Sequence, residues 1–164
     1  CVSKKIKVYL DTNMILDVFI NHAKVLKKKE DVILPKKYEF MLASKEKIEF
    51  VTSFITKAEV VRELVSGYGT SYEEILAVWS RFMISLDCQY VENFRFDEKI
   101  AELAGKLQLK LRTMFNFLHL FIAISQNAYF ISGDRDAIRK AKEMKIYDKV
   151  ISYEEFRKMM ERII

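Results

Sequence analysis

Five short runs rich in β-branched and aromatic residues punctuate the chain: 6–10 (IKVYL), 48–53 (IEFVTS), 89–93 (QYVEN), 128–133 (AYFISG) and 149–153 (KVISY). Segments with helical periodicity separate them. Met14, Ile15, Val18 and Phe19 share one face after the first run, and Ile100, Leu103, Ala104, Leu107 and Leu111 form one stripe over 98–112. A helix between two strands returns the chain to its starting edge, so the strands run parallel and need helices on both faces. The pattern predicts an α/β protein, a three-layer α/β/α sandwich around a central, mainly parallel sheet of four or five strands. Its 164 residues suit one domain, expected over 1–164, with helical elaborations at about 22–48 and 67–85. Local punctuation agrees. Pro35 stands where a helix begins. Ser71 and Glu74 spell a capping box, Asp97 caps the 98–112 segment, and a helix over 55–65 is expected to stop near Gly67.

Composition removes several classes. The apolar stretch 115–124 is too short and interrupted to span a bilayer, so no membrane role is expected. No secretory leader is expected in the charged KKIKVYLDTN start. Two cysteines, Cys1 and Cys88, and two histidines, His22 and His119, are too few for a disulfide framework or a zinc finger. A cytoplasmic location is the resulting expectation. The net charge of +5 and pI of about 9.1 favour a polyanionic partner. Lysine outnumbers arginine 20 to 8, a Lys/Glu-rich usage that resembles that of thermophile, including archaeal, proteins.

The acids carry more information. In open parallel sheets, ligands bind outside the carboxyl ends of the strands. Asp11 directly follows the first run, Glu59 lies in the first turns after the second, and Asp134 and Asp136 follow the fourth. Asn116 heads a strongly apolar helix, FNFLHLFIAIS. Each has an ordinary explanation: Asp11, Asn116, Asp134 and Asp136 as caps or helix-end charges, Glu59 as a surface partner of Arg62. Their joint placement at one rim points further. Converging carboxylates repel unless a cation neutralises them, and oxygen donors without Cys or His suit Mg2+ or Mn2+. His119 reads as a packed core residue.

At these residues the chain resembles the PIN domain family, the nuclease fold of VapC-type toxins and several RNA-processing enzymes. The matching pieces are VYLDTNMILDVF, TSFITKAEVVREL, NFLHLFIAIS and AYFISGDRDAI, in the family's order over 6–152. The resemblance implies a catalytic, metal-binding set of Asp11, Glu59, residue 116 and Asp134, with Asp136 as a fifth metal ligand. Thr12 and Asn13 would support the first aspartate. The family's third motif usually begins with aspartate; here it begins with Asn116. Asn116 is therefore expected to be both a helix cap and a crippled ligand. Asn116→Asp is expected to leave metal-free stability within ~1 kcal/mol.

The function implied is a metal-dependent endoribonuclease, of toxin or RNA-maturation type, weakened or inactivated by Asn116. The alternative is a non-catalytic RNA-binding or scaffold protein with a degenerate metal site. RNA is the expected partner, joined in the toxin case by an antitoxin protein, and 12 Phe and 8 Tyr allow a homodimer. The basic segment with Lys24, Lys27, Lys28, Lys29, Lys36 and Lys37 is the expected RNA-backbone surface, with the salt dependence such contacts bring.

Overall fold

The structure is a computed structural model that describes residues 4–28, 35–93, 95, 97–107 and 111–163; the side chains of 25–28, 107 and 111–113 lie outside that description. Among the described residues the chain alternates as expected: β1 (Ile6–Leu10), α1 (Thr12–Lys28), α2 (Lys36–Ser44), β2 (Ile48–Ser53), α3 (Phe54–Tyr68), α4 (Tyr72–Leu86), β3 (Gln89–Val91), α5 (Glu98–Leu107), α6 (Leu111–Ser125), β4 (Tyr129–Ser132), α7 (Arg135–Glu143), β5 (Val150–Ser152) and α8 (Tyr153–Ile163). The five strands form one sheet in the order β3-β2-β1-β4-β5, with every described pairing parallel.

The period-two alternation of the strands separates two cores. Val8, Leu10, Phe50 and Ile131 face one side, where they meet Met14, Ile15, Val18 and Phe19 of α1, Trp79 and Phe82 of α4, and Phe156 of α8. Tyr9, Val51 and Phe130 face the other, against Phe117, Leu120, Phe121 and Ile122 of α6 and Ile138 of α7. Each fully buried large side chain contributes about 1.5–3 kcal/mol. Within 22–48 lie the end of α1, α2 and the turn into β2, within 67–85 the end of α3 and most of α4, and α2 and α4 pack on α1. Among the described residues no helix is long and apolar enough to cross a membrane.

The expected capping box forms: Ser71 Oγ accepts from Glu74 N at 3.2 Å, and Ser71 N donates to Glu74 Oε2 at 3.4 Å. Asp97 Oδ1 caps α5 by accepting from Ile100 N. Two expected boundaries move. α3 passes Gly67 and ends at Gly69, whose left-handed φ of 60° a glycine adopts without strain, because Tyr68 packs against the core and extends the helix. The 98–112 segment is helical where described, as α5 to Leu107 and α6 from Leu111, with 108–110 outside the described residues. Asn116 does not cap a helix. It is the sixth residue of α6, since nothing in LRTMF, neither glycine nor proline, stops the helix before it.

Candidate active site at the strand ends

In the observed strand order the first crossover runs outward through β2 and β3, and the chain then returns to place β4 on the other side of β1. The crevice between the carboxyl ends of β1 and β4 is therefore the switch point of the sheet, where parallel α/β proteins hold ligands. Asp11 leaves β1 at this point, its N–H donating to Ile131 O at 3.0 Å. α1 begins at the next residue. Asp11 is 3% exposed, so its carboxylate is taken from water almost completely. Oδ1 accepts from Thr12 N at 2.7 Å, and Oδ2 accepts from the Ser132 hydroxyl at 2.7 Å.

Ser132 links the two halves of the crevice. Its Oγ also accepts from Asp134 N at 3.0 Å and from Asn13 Nδ2 at 3.2 Å. Asn13 Oδ1 accepts in turn from Gly133 N at 2.9 Å, so the side chain of Asn13 clamps the turn after β4 onto the start of α1. Asp134 caps α7 through Oδ1, which accepts from the N–H groups of Asp136 and Ala137 at 3.0 and 3.1 Å. Its other oxygen, Oδ2, accepts from Asn116 Nδ2 at 3.2 Å. Asp11, Asn13, Ser132, Asp134 and Asn116 thus form one connected polar rim.

Glu59 approaches from α3. Its Oε1 accepts from Thr12 Oγ1 at 3.0 Å and is hydrogen-bonded to His119 Nε2. His119 is fully buried, with Nε2 3.2 Å from Thr12 Oγ1 and 3.7 Å from Asp11 Oδ1. Its Nδ1 lies 2.6 Å from the Tyr9 hydroxyl, which lies 2.7 Å from Ser53 Oγ. Burial pushes the Tyr9 phenol well above its ordinary range, so its hydroxyl keeps its proton. His119 Nε2 faces Glu59 and Thr12. The arrangement is a connected chain from Ser53 through Tyr9 and His119 to Glu59.

Burial also lifts the Asp11 carboxyl above its usual range. His119 and the hydrogen bonds from Ser132 and Thr12 act against that rise, and Glu59 adds to it. A buried carboxylate raised in this way gains from a nearby cation.

Of the expected residues, Asp11, Glu59, Asn116 and Asp134 all reach the same end of the sheet, supported by Thr12 and Asn13. Asp136 does not join them through its side chain, which is 83% exposed and lies 3.5 Å from Arg139 Nη2. Its position one residue into α7 aims it outward, and it contributes its N–H to Asp134. Of the expected lysines, Lys37 sits at the rim: with Ser132, Gly133, Arg135 and Tyr153 it lines a cavity of about 400 Å3, and its ammonium lies 5.4 Å from the Tyr153 ring centre. Lys24 and Lys36 are exposed on α1 and α2. Lys29 and the side chains of Lys27 and Lys28 lie outside the described residues.

Sequence reasoning missed Tyr9, Ser53, His119 and Ser132 as parts of the site. His119 is packed in the core as expected, yet every polar atom of its ring has a partner at the site. The available signal was its spacing, three residues after Asn116 on one face of α6. Ser132 was signalled by a hydroxyl closing an otherwise apolar strand.

Among the described residues, no three His, Cys, Asp or Glu side chains are already gathered into one metal-sized cage. The reason is visible in the pairings: Glu59 is drawn to His119, and the amide of Asn116 takes up the second oxygen of Asp134. The donor chemistry still fits a hard cation, because Asp11, Asp134 and Glu59 offer carboxylate oxygens and Asn116 an amide oxygen.

The model of the PIN domain family matches residues 8–143. No curated protein matches the chain. A solved structure described as VapBC2 from Rickettsia felis bound to a DNA fragment from their promoter is 18% identical; the match covers 90% of this chain and 97% of that one, with a TM-score of 0.48. On the family match, which spans most of its length, the chain belongs to the PIN domain family.

Proposed function

We propose that the protein is a divalent-metal-dependent endoribonuclease whose cation site is weakened by Asn116. One observation carries this reading: at the switch point of a parallel sheet, Ser132 joins the buried Asp11 carboxylate to the backbone N–H of Asp134, with Glu59 held close by Thr12 and His119. Asp11, Asp134, Glu59 and the Asn116 amide oxygen would hold Mg2+ or Mn2+. Such an ion, when bound, acidifies water and draws charge from a phosphodiester. The chain's own residues do the rest. Thr12 N and Ser132 orient the Asp11 carboxylate, Asn13 fixes the turn that carries Asp134, and His119 and Thr12 orient Glu59. Lys37 and Arg135, beside the rim, offer positive charge to RNA phosphates.

A second reading has its own support. The Asn116–Asp134 hydrogen bond holds the rim together without a cation, which favours a non-catalytic RNA-binding or scaffold protein. RNA cleavage in Mn2+ separates the two. Slow cleavage by the wild type that Asp11→Asn abolishes and Asn116→Asp raises ~10-fold or more supports the nuclease, since even supporting residues are worth ~10–100-fold in metal sites. RNA binding with no cleavage by either the wild type or Asn116→Asp supports the scaffold. We place the work of either in the cytoplasm. A toxin role would add an antitoxin partner, whereas an RNA-maturation role would not; a homodimer suits both.

A further inference from the structure

The opposite edge of the sheet is basic. Below the amino ends of β1 and β4 lies a groove of about 480 Å3 lined by Lys4, Lys5, Lys7 and Lys149, against a single acid, Glu49. Four positive charges less one negative leave the lining at +3. Among the described residues no carboxylate lies within 4.0 Å of any of the four ammonium groups. Two are held by uncharged acceptors instead. Lys5 Nζ donates to Lys45 O at 3.4 Å, and Lys149 Nζ donates to Asn127 Oδ1 at 3.1 Å while lying 5.5 Å from the Tyr129 ring centre. Lys45 and Lys47, with Glu46 between them, lie in the turn before β2, and Lys47 Nζ donates to Ile163 O at 3.3 Å. Like charges gathered against a single counter-charge repel one another, and these four sit at strand starts, where neutral residues would serve the fold equally.

We propose that this groove binds the phosphate backbone of RNA, as a second contact separate from the acidic rim. Lysines are point charges that neutralise phosphates without reading sequence. The apolar side chains in the lining are few: Ile6, which packs against the core, and the Tyr129 ring, over which the Lys149 ammonium lies. The two edges are separated by the length of β1, about 16 Å at 3.3 Å per residue. A short oligonucleotide held at the rim does not reach the groove, whereas a long or folded RNA can engage both. The substrate class that follows is a structured or extended RNA. This inference rests on RNA being the ligand, as proposed above.

The test compares three proteins: wild type, a groove variant (Lys4, Lys5, Lys7 and Lys149 each→Gln), and a control variant of equal charge (Lys99, Lys106, Lys142 and Lys158 each→Gln). Matching thermal melts establish that all three fold. Binding of a folded transcript is measured against salt, and cleavage of a trinucleotide is measured in Mn2+. The groove variant should lose about 0.7–0.9 from the slope of log K against log salt for each phosphate contact removed, roughly 3 in all. The control should keep the wild-type slope, and trinucleotide cleavage should be equal in all three. Equal slopes for groove variant and wild type overturn the proposal, as does the same loss in the control. Loss of polyglutamate binding with RNA binding unchanged overturns it in favour of an acidic protein partner. A wild type that binds no RNA overturns it together with the RNA reading. Wild-type slopes with intact cleavage remove the groove alone. A lowered slope with no cleavage by any variant removes the nuclease alone.

Discussion

Replacing Asn116 by aspartate sets a carboxylate oxygen where an amide N–H now faces Asp134 Oδ2 at 3.2 Å. Two unit charges at that distance repel by about 5 kcal/mol at an effective dielectric of ~20, and by about 1.3 kcal/mol in bulk water. Both side chains are half-buried, so the unrelaxed value lies between these limits. The donated hydrogen bond is lost as well, at about 1.5–3 kcal/mol for a charged acceptor. Rotation of the new side chain relieves part of the sum. We expect a net loss of ~1–3 kcal/mol in metal-free protein, above the ~1 kcal/mol limit expected from the shape of the two residues alone, because that expectation had no partner for Asn116. For a domain of this size the melting temperature falls by ~2–10 °C. Added Mn2+ should reverse the loss, since a ligand at 100 times its Kd returns about 2.7 kcal/mol to the folded state. The assay is thermal melting of both proteins in chelator and in a Mn2+ series. Asn116→Asp being as stable as wild type in chelator, or gaining no more than wild type from Mn2+, would refute the argument.

Tyr9→Phe removes one hydroxyl from the chain ending at Glu59 and strands Ser53 and His119 Nδ1; a loss of ~1–3 kcal/mol in chemical denaturation is expected. Asp11→Asn should change the pH dependence of stability. Because burial raises the Asp11 carboxyl in the folded protein, its contribution is fully present below the unfolded value and is lost as pH rises through the folded one. Metal-free Asp11→Asn should therefore lose less stability than wild type between acid and neutral pH, and parallel curves would count against a raised Asp11. Gly69→Ala forces a side chain into a φ of 60° and should cost ~1 kcal/mol in denaturant midpoint analysis, whereas Gly67→Ala, inside α3, should be neutral or stabilising.

Much of this was legible in the chain because strand and helix periodicities are local. The five runs became five parallel strands, and Asp11, Glu59 and Asp134 reached one rim because strand ends in a parallel sheet share an edge. What escaped was set by contacts between distant segments. Nothing near Asn116 says that its amide meets Asp134 and not its own helix; that depends on how α6 lies against the turn after β4. His119 looked like core because it is core, and its polar role appears only when Tyr9 and Glu59 arrive from other elements. Asp136 failed for a rotational reason: residues two apart at a helix start point to different sides, so only one of Asp134 and Asp136 can face the rim.

The pairing of β1 with β4 also sets when the site can exist during synthesis. Asp11 is made early, but Ser132 and Asp134, which orient it and complete the rim, lie more than a hundred residues later. Bringing them together closes the longest loop among the strand pairings at the rim, and non-local contacts of this kind form slowly. A chain cut before Tyr129 would hold the first aspartate without its partners and with the central strand of the sheet exposed along one edge. Whatever chemistry the rim supports is therefore withheld from a nascent chain until synthesis has passed Asp134.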